Sequence, residues 1–180
     1  YRNEFAGLPA VEDGEVVDVV SDFGRPVGRG FYQAEGGIAV RLLTRKSEDI
    51  DADLLIRRIR SAVRFRATLF PESDVYRWVY GESDRLPGLV ADRYGSVVSA
   101  HTACAFYGRW GEALAHGFMA EEGVRGVRLE TAGRVTTFGE VPAAVSVDLD
   151  GVRLNVNLEA GQKTGMFLDQ RENWRAMRAF

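Results

Sequence analysis

The chain has 180 residues, of which 46% are hydrophobic and 27% are charged. These proportions are typical of globular proteins and exclude a wholly disordered or fibrous chain. The formal net charge of -3 excludes a globally basic nucleic-acid coat, so any binding of a polyanion must come from a local basic patch.

Targeting and redox features narrow the class of protein further. The sequence holds no apolar run of the roughly 18 residues that a membrane-spanning helix needs, and it does not open like a secretory signal. The single Cys104 excludes an internal disulfide framework and a four-cysteine zinc site, and it favours a reducing, cytoplasmic compartment. Because the chain begins without Met, we interpret it as a mature or excised fragment.

The first third of the chain predicts three short strands, over Glu15–Val20, Val27–Tyr32 and Ile38–Leu43. The tripeptide Glu35-Gly36-Gly37 separates the last two and can supply a tight turn. Three strands with such short gaps predict a meander or part of a small barrel.

A helix is predicted over Asp51–Leu69, with Asp51 or Asp53 as its N-cap. Eight basic and four acidic residues lie between Arg41 and Arg66, which makes this region a candidate basic patch. One helix face carries Arg57, Arg60 and Arg64. These arginines form either a solvated face or a ridge that contacts phosphates, since guanidinium groups bind phosphate in a bidentate manner.

The remaining elements predict a second, mixed block that starts after a boundary near residues 71–74. The expected order is strand, strand, helix, strand, strand, a small α+β sandwich in which the helix covers one face of the sheet. The predicted segments are Val75–Tyr80, Leu89–Ala91, Ser96–Thr102, the helix Gly111–Glu122, Val127–Glu130, and the hairpin Val145–Leu149 and Val152–Leu158 around Asp150-Gly151.

Common catalytic and metal-binding motifs are absent, so no catalytic residue and no metal ligand is predicted. There is no glycine-rich nucleotide loop, and His101 and His116 have no partner at metal-ligand spacing. Cys104 lies between two alanines and is interpreted as a buried structural thiol. The acidic residues Asp84 and Asp92, with Glu82, lie near predicted turns, which favours structural roles.

Two stretches carry a family resemblance. They are Gly81–Gly95 (GESDRLPGLVADRYG) and Glu159–Asn173 (EAGQKTGMFLDQREN), here called the first and second motifs. Together they resemble class I S-adenosylmethionine-dependent methyltransferases that produce 5-methylcytosine in large-subunit ribosomal RNA. The resemblance implies a PUA domain, then a small α+β domain, then a Rossmann-like catalytic domain.

From this resemblance we expect an α+β fold with a partial, N-terminally incomplete PUA-like β-barrel at residues 1–72 and a small α+β domain at 73–160. Residues 161–180 would begin the methyltransferase domain. The Rossmann-like catalytic domain would otherwise be absent, its cofactor loop and catalytic cysteines lying past Phe180. The fragment would then be inactive alone.

The resemblance also implies site residues in the second motif. Lys163, Phe167, Asp169 and Gln170 would contact S-adenosylmethionine, with Phe167 on the adenine. The RNA-binding residues would be Lys163, Arg171 and the helix arginines Arg57, Arg60 and Arg64. The alternative is that Phe167 and Leu168 pack into the rest of the enzyme while Asp169 and Arg171 form a local ion pair.

Three functions stay open. The chain is the RNA-recognition portion of an rRNA methyltransferase, a free-standing RNA-binding module without catalysis, or an unrelated α+β interaction domain. In the first two cases the partner is ribosomal RNA, with no membrane and no metal, and the oligomeric state is open. Phe31, Tyr32 and Trp78 are candidate stacking surfaces for bases, although aromatic residues in strands more often belong to the core.

Overall fold

The computed structural model describes residues 1–8, 10–161 and 164–177. Its helices are α1 (Ala52–Leu69), α2 (Gly111–Met119) and α3 (Arg171–Met177), with 3-10 turns at Arg2–Glu4, Gly81–Asp84, Ala105–Trp110 and Leu168–Gln170. Its strands are β1 (Val16–Val20), β2 (Pro26–Tyr32), β3 (Val40–Thr44), β4 (Val75–Tyr80), β5 (Leu89–Tyr94), β6 (Val97–Thr102), β7 (Gly126–Thr131), β8 (Arg134–Gly139), β9 (Ala144–Leu149) and β10 (Val152–Asn157). Among the described residues, no helix is long and apolar enough to cross a membrane.

The N-terminal strands form the predicted meander. Strands β1, β2 and β3 pair antiparallel in chain order. Gly30 permits a close approach of β2 to β3, because a Cβ atom there would lie 2.0 Å from the carbonyl oxygen of Arg41. This three-stranded sheet lies next to the start of α1.

Helix α1 confirms the prediction for residues 51–69. Asp51 is the N-cap, and its carboxylate accepts a hydrogen bond of 2.8 Å from the backbone N–H of Leu54. The apolar residues Leu55, Ile59, Ala62 and Val63 are buried against the second sheet. The opposite face stays in contact with solvent and carries most of the arginines.

The second sheet has five strands in the order β4-β5-β6-β7-β8. All neighbours are antiparallel except β6 and β7, which run parallel, with α2 in the connection between them. This β6-α2-β7 segment is a βαβ unit, the building block of Rossmann-like sheets. Helices α1 and α2 cover one face of this sheet.

The fold class expected from the sequence is therefore wrong. We expected a partial barrel followed by a strand-strand-helix-strand-strand sandwich, with any Rossmann-like part absent. Instead β4 to β8 form one five-stranded mixed sheet that contains the parallel pair β6 and β7. Strand β8 escaped prediction because its side chains are almost all exposed, so its sequence has no apolar signal.

Two clusters of buried residues hold the molecule together. The larger lies between the five-stranded sheet and helices α1 and α2, and it includes Phe31 and Leu43 from the N-terminal sheet. Phe31 stacks on Phe106 with ring centroids 4.6 Å apart. The smaller cluster packs the β9–β10 hairpin and Leu168 against Val75, which places the second motif on the other face of the sheet.

Candidate nucleic-acid interface

A cleft of about 990 Å³ lies between the end of β3 and α1, with residues 83–85 at its edge. Six basic side chains and two acidic ones line it. We call it the basic cleft; its charged lining consists of Arg45, Lys46, Arg57, Arg58, Arg66 and Arg85 with Glu48 and Asp84. This excess of positive charge, in a chain that is negative overall, creates a local attraction for polyanions.

The chain itself fixes several of these cations. Arg58 is half-buried and donates a hydrogen bond of 2.6 Å to the carbonyl oxygen of Arg85. Burial lowers the pKa of Arg58, although a guanidinium remains protonated in proteins. Arg57 is 60% exposed and lies 3.7 Å from the Glu48 carboxylate, whose own pKa is lowered by a hydrogen bond from Thr44. Arg57 is thus exposed to a ligand in the cleft, as are Arg45, Lys46 and Arg85.

The structure separates the three arginines that the sequence grouped on one face. Arg57 lines the basic cleft, whereas Arg60 lies 4.0 Å from Glu121, at the end of α2, and Arg64 is exposed outside the cleft lining. Arg58 joins Arg57 in the cleft, and the sequence analysis missed it. Helical spacing alone could not show which side of α1 faces the N-terminal sheet.

The two motifs meet in a buried polar network made of Arg77, Asp92, Tyr94 and Thr164. Asp92 is fully buried and accepts two hydrogen bonds from Arg77, at 2.8 and 3.1 Å. Thr164 donates to the same carboxylate at 2.5 Å. Asp92 thus lies inside β5 and not in a turn, so its structural role was predicted but its position was not.

Tyr94 adds a second link between the motifs. Its hydroxyl accepts a hydrogen bond of 3.2 Å from the backbone N–H of Met166 and lies 3.3 Å from the Thr164 hydroxyl. Burial raises the pKa of Tyr94 to about 12, so this hydroxyl stays protonated at neutral pH. Thr164 and Met166 of the second motif are therefore fixed to strand β5.

Beyond this anchor, the second motif presents side chains to the outside. Leu168 is buried, whereas Phe167 is 40% exposed and Asp169 and Gln170 are exposed. Gln170 accepts a hydrogen bond of 2.8 Å from Asn173. Lys163, which the sequence analysis assigned to both cofactor and RNA, lies outside the described residues.

Arg171 occupies a different environment from the one that the sequence suggested. It is buried, and its guanidinium binds Asp150 in the β9–β10 turn and lies 5.2 Å from the ring centroid of Phe70. Hydrogen bonds from Arg171 and then Arg175 hold the pKa of Asp150 well below its usual range. The carboxylate partner of Arg171 is thus Asp150, and its contact with RNA stays a prediction.

A second cleft, of about 620 Å³, lies beside the second motif, and we call it the motif cleft. It shares Phe65 and Arg66 with the basic cleft and extends to Thr164 and Asp169. The two clefts therefore form one continuous surface that leads from the N-terminal sheet to the second motif.

The other candidate residues have structural positions. Phe31, Tyr32 and Trp78 are buried, so the core interpretation of these aromatic residues is correct. Cys104 is 3% exposed, and burial raises the pKa of its thiol, in agreement with a structural role. Among the described residues no group of three histidine, cysteine or acidic side chains could hold a metal ion.

Comparison with known proteins confirms part of the family resemblance. Residues 1–45 match a family model described as a PUA-like domain. The chain is 38% identical to ribosomal RNA large subunit methyltransferase I of Shewanella amazonensis, over 91% of this chain and 45% of that protein. The same enzyme of Shewanella frigidimarina is 34% identical over 99% and 48%, respectively. The chain thus spans about half the length of the curated relatives it matches.

Solved structures complete the correction of the fold. A protein described as a SAM-dependent methyltransferase from Streptococcus mutans superposes with a TM-score of 0.80, at 21% identity, over 92% of this chain and 46% of that chain. A second methyltransferase structure, complexed with SAH, gives a TM-score of 0.77 at 22% identity over 90% and 44%. The expectation that a methyltransferase-like fold is absent from this chain is therefore wrong.

Proposed function

We propose that this chain binds ribosomal RNA and acts in its S-adenosylmethionine-dependent methylation, with carbon 5 of a cytosine in large-subunit rRNA as the methyl acceptor. The likeness to the large-subunit rRNA methyltransferases supports the substrate class. The choice of cytosine follows from the family that the two motifs resemble. The PUA-like match at residues 1–45 supports RNA recognition by the N-terminal sheet.

The observation that carries the proposal is the continuity between the basic cleft and the second motif. Phe65 and Arg66 line both clefts, and the motif cleft extends to Asp169. Methylating a base carbon requires that the base leaves the stack, so the enzyme must hold the RNA strand on either side of it. A surface that leads from the basic cleft to the second motif supports this requirement.

We propose that residues of the second motif contact the cofactor. Leu168 is buried and fixes the turn, so that Phe167 and Asp169 on either side of it are exposed. Phe167 would pack against the adenine, and Asp169, Gln170 and Lys163 would hydrogen-bond the polar groups of the cofactor. S-adenosylmethionine supplies the methyl group from its sulfonium centre. The buried network keeps this segment in place through Asp92 and Thr164.

The arginines would hold the RNA backbone. Arg57 in the basic cleft is the strongest candidate, because it is exposed and lies on the side of α1 that faces the N-terminal sheet. Arg60 and Arg64 would contact phosphates that leave the cleft over α1. Arg171 would contact RNA only at the rim of its buried site. Guanidinium groups suit this role because they bind phosphate oxygens in pairs.

The proposal is tested in the host by deleting the gene and mapping 5-methylcytosine in large-subunit rRNA by bisulfite sequencing. We expect one modified position to be lost and to return when the gene is restored. The Asp169→Asn variant should restore it poorly, whereas Asp22→Asn, in the exposed turn after β1, should restore it fully. An unchanged 5-methylcytosine map after deletion would contradict the proposal.

A further inference from the structure

The motif cleft carries two aromatic rings that the core does not use. Phe65 on α1 is 59% exposed and Tyr80 at the end of β4 is 55% exposed. Both side chains line the cleft, together with Leu69, which is 56% exposed. Large apolar side chains gathered at one cavity are more informative than single exposed ones, and they indicate a binding surface.

A single carboxylate fixes the surroundings of both rings. Asp84 accepts two hydrogen bonds from Arg66, at 2.7 and 2.8 Å, and a third of 2.5 Å from the backbone N–H of Tyr80. Its side chain is only 8% exposed. The side chain of Arg66, which follows Phe65 in α1, and the backbone of Tyr80 are thus held by one carboxylate, which fixes the chain segments that carry the two rings.

Each ring also has a guanidinium against it. The guanidinium carbon of Arg66 lies 5.9 Å from the ring centroid of Phe65, and that of Arg77 lies 5.4 Å from the ring centroid of Tyr80. Both arginines are paired with buried carboxylates, which fixes their planes. Rigid aromatic and guanidinium planes are the surfaces on which unpaired RNA bases stack.

Polar groups border the same cavity. His101 and Asp169 line the motif cleft, and the Nδ1 atom of His101 lies 3.5 Å from a carboxylate oxygen of Glu130. A stacked base needs hydrogen-bonding partners along its edge, and the imidazole of His101 can provide one, whereas Asp169 faces the cofactor in the proposed function. The cleft therefore combines stacking planes with polar groups, as a nucleotide pocket requires.

We propose that the motif cleft binds one unpaired nucleotide of an RNA strand whose neighbouring phosphates lie in the basic cleft. The base stacks on Phe65 or Tyr80, and the strand passes over the shared wall made by Phe65 and Arg66. Charge complementarity favours RNA over an apolar peptide, because six of the eight charged residues lining the adjoining basic cleft are cationic. This inference rests on the proposed function and adds the site at which the strand is held.

The test measures binding of a short fluorescent single-stranded oligouridine by anisotropy over a range of salt concentrations. Phe65→Ala and Tyr80→Ala should each weaken binding about tenfold, the effect of losing one base–aromatic stack, without changing the salt slope. Phe65→Tyr and Tyr80→Phe keep the ring and should bind like the original protein. Phe23 in the β1–β2 turn is 90% exposed but lines neither cleft, so Phe23→Ala should have no effect.

The outcomes distinguish this inference from the function on which it rests. Salt-dependent RNA binding that is unaffected by both alanine variants would overturn the nucleotide site and leave the proposed function standing. Equal affinity for an RNA duplex of the same length would also overturn it, because paired bases cannot enter the cleft. Absence of salt-dependent RNA binding by the original protein would count against the proposed function itself.

Discussion

The basic cleft and the buried network both consist of arginines and carboxylates, but the two groups lie in opposite environments. In the cleft, exposed cations such as Arg57 remain near solvent, where an ion pair contributes little and the charges act additively on a polyanion. In the network, Arg77 and Asp92 are removed from water, and each member depends on the others. The cleft should therefore tolerate single substitutions with small losses of affinity, whereas the network should fail as a unit.

The largest expected effect is on the network. Asp92→Asn should lower the free energy of unfolding by about 3–5 kcal/mol, because it leaves Arg77 beside a buried site without its charge partner. Urea denaturation measures the change. Asp18→Asn is the matched control, since Asp18 also binds an arginine in two hydrogen bonds but is 64% exposed, and its midpoint should hardly move. Equal losses in the two variants would remove the distinction between buried and exposed pairs.

The next effect concerns the link between the motifs. Thr164→Val removes the hydroxyl that donates to Asp92 while keeping the shape of the side chain, and it should cost about 1–3 kcal/mol. Hydrogen exchange should rise most in residues 164–170. Thr164→Ser should restore protection, and Thr136→Val on the exposed strand β8 should change nothing. Unaltered exchange in Thr164→Val would mean that the network does not hold the second motif.

Acid should weaken the contact between α3 and the β9–β10 turn. Arg171 and Arg175 lower the pKa of Asp150 in the folded protein, so its stabilising contribution is complete above the unfolded pKa of about 3.9 and is lost as the pH falls below it. The protection of residues 171–177 against hydrogen exchange, relative to the intrinsic rate at each pH, should fall in that acidic range. Asp150→Asn should show fast exchange already at neutral pH and little further change; a parallel acid response in both proteins would contradict this assignment.

The smallest effect on stability is expected in the basic cleft. Arg57→Gln should change the free energy of unfolding by no more than about 0.5 kcal/mol. It should nevertheless flatten the salt dependence of single-stranded RNA binding by about 0.7 in the logarithmic slope, the contribution of one phosphate contact. Arg134→Gln on the exposed strand β8, which lines neither cleft, serves as the control and should leave the slope unchanged. A larger change of slope for Arg64→Gln than for Arg57→Gln would move the RNA path out of the cleft.

Local features of the fold could be predicted from the sequence. Asp51 marks the start of α1 because its side chain can accept from the first free N–H groups, and Pro71 follows the end of that helix. Asp150 and Gly151 both have positive φ, as the two-residue turn between β9 and β10 requires. These signals depend on neighbouring residues alone, so a single sequence contains them.

Features that depend on distant residues could not be predicted. Asp92 and Thr164 are 72 residues apart, and no sequence pattern predicts the hydrogen bond between them. The parallel pairing of β6 with β7 aligns Val97 with Gly126, on opposite sides of α2 in the chain. Phe65 and its neighbour Val63 are both apolar, but they face different directions from α1, so that Val63 is buried and Phe65 is exposed. The sequence therefore did not predict the binding surface, because its residues come together only in the tertiary fold.

The stacked rings of Phe31 and Phe106 bear on whether the N-terminal sheet can be separated from the rest of the protein. They belong to different sheets, and Gly14 on the loop before β1 also fits directly against the backbone of Phe106. If the N-terminal sheet were expressed by itself, it would expose the apolar surface around Phe31 and would tend to aggregate. The N-terminal sheet is thus better regarded as a rigidly packed part of the molecule than as an independent binding domain. A displacement of this sheet would be transmitted directly to the five-stranded sheet.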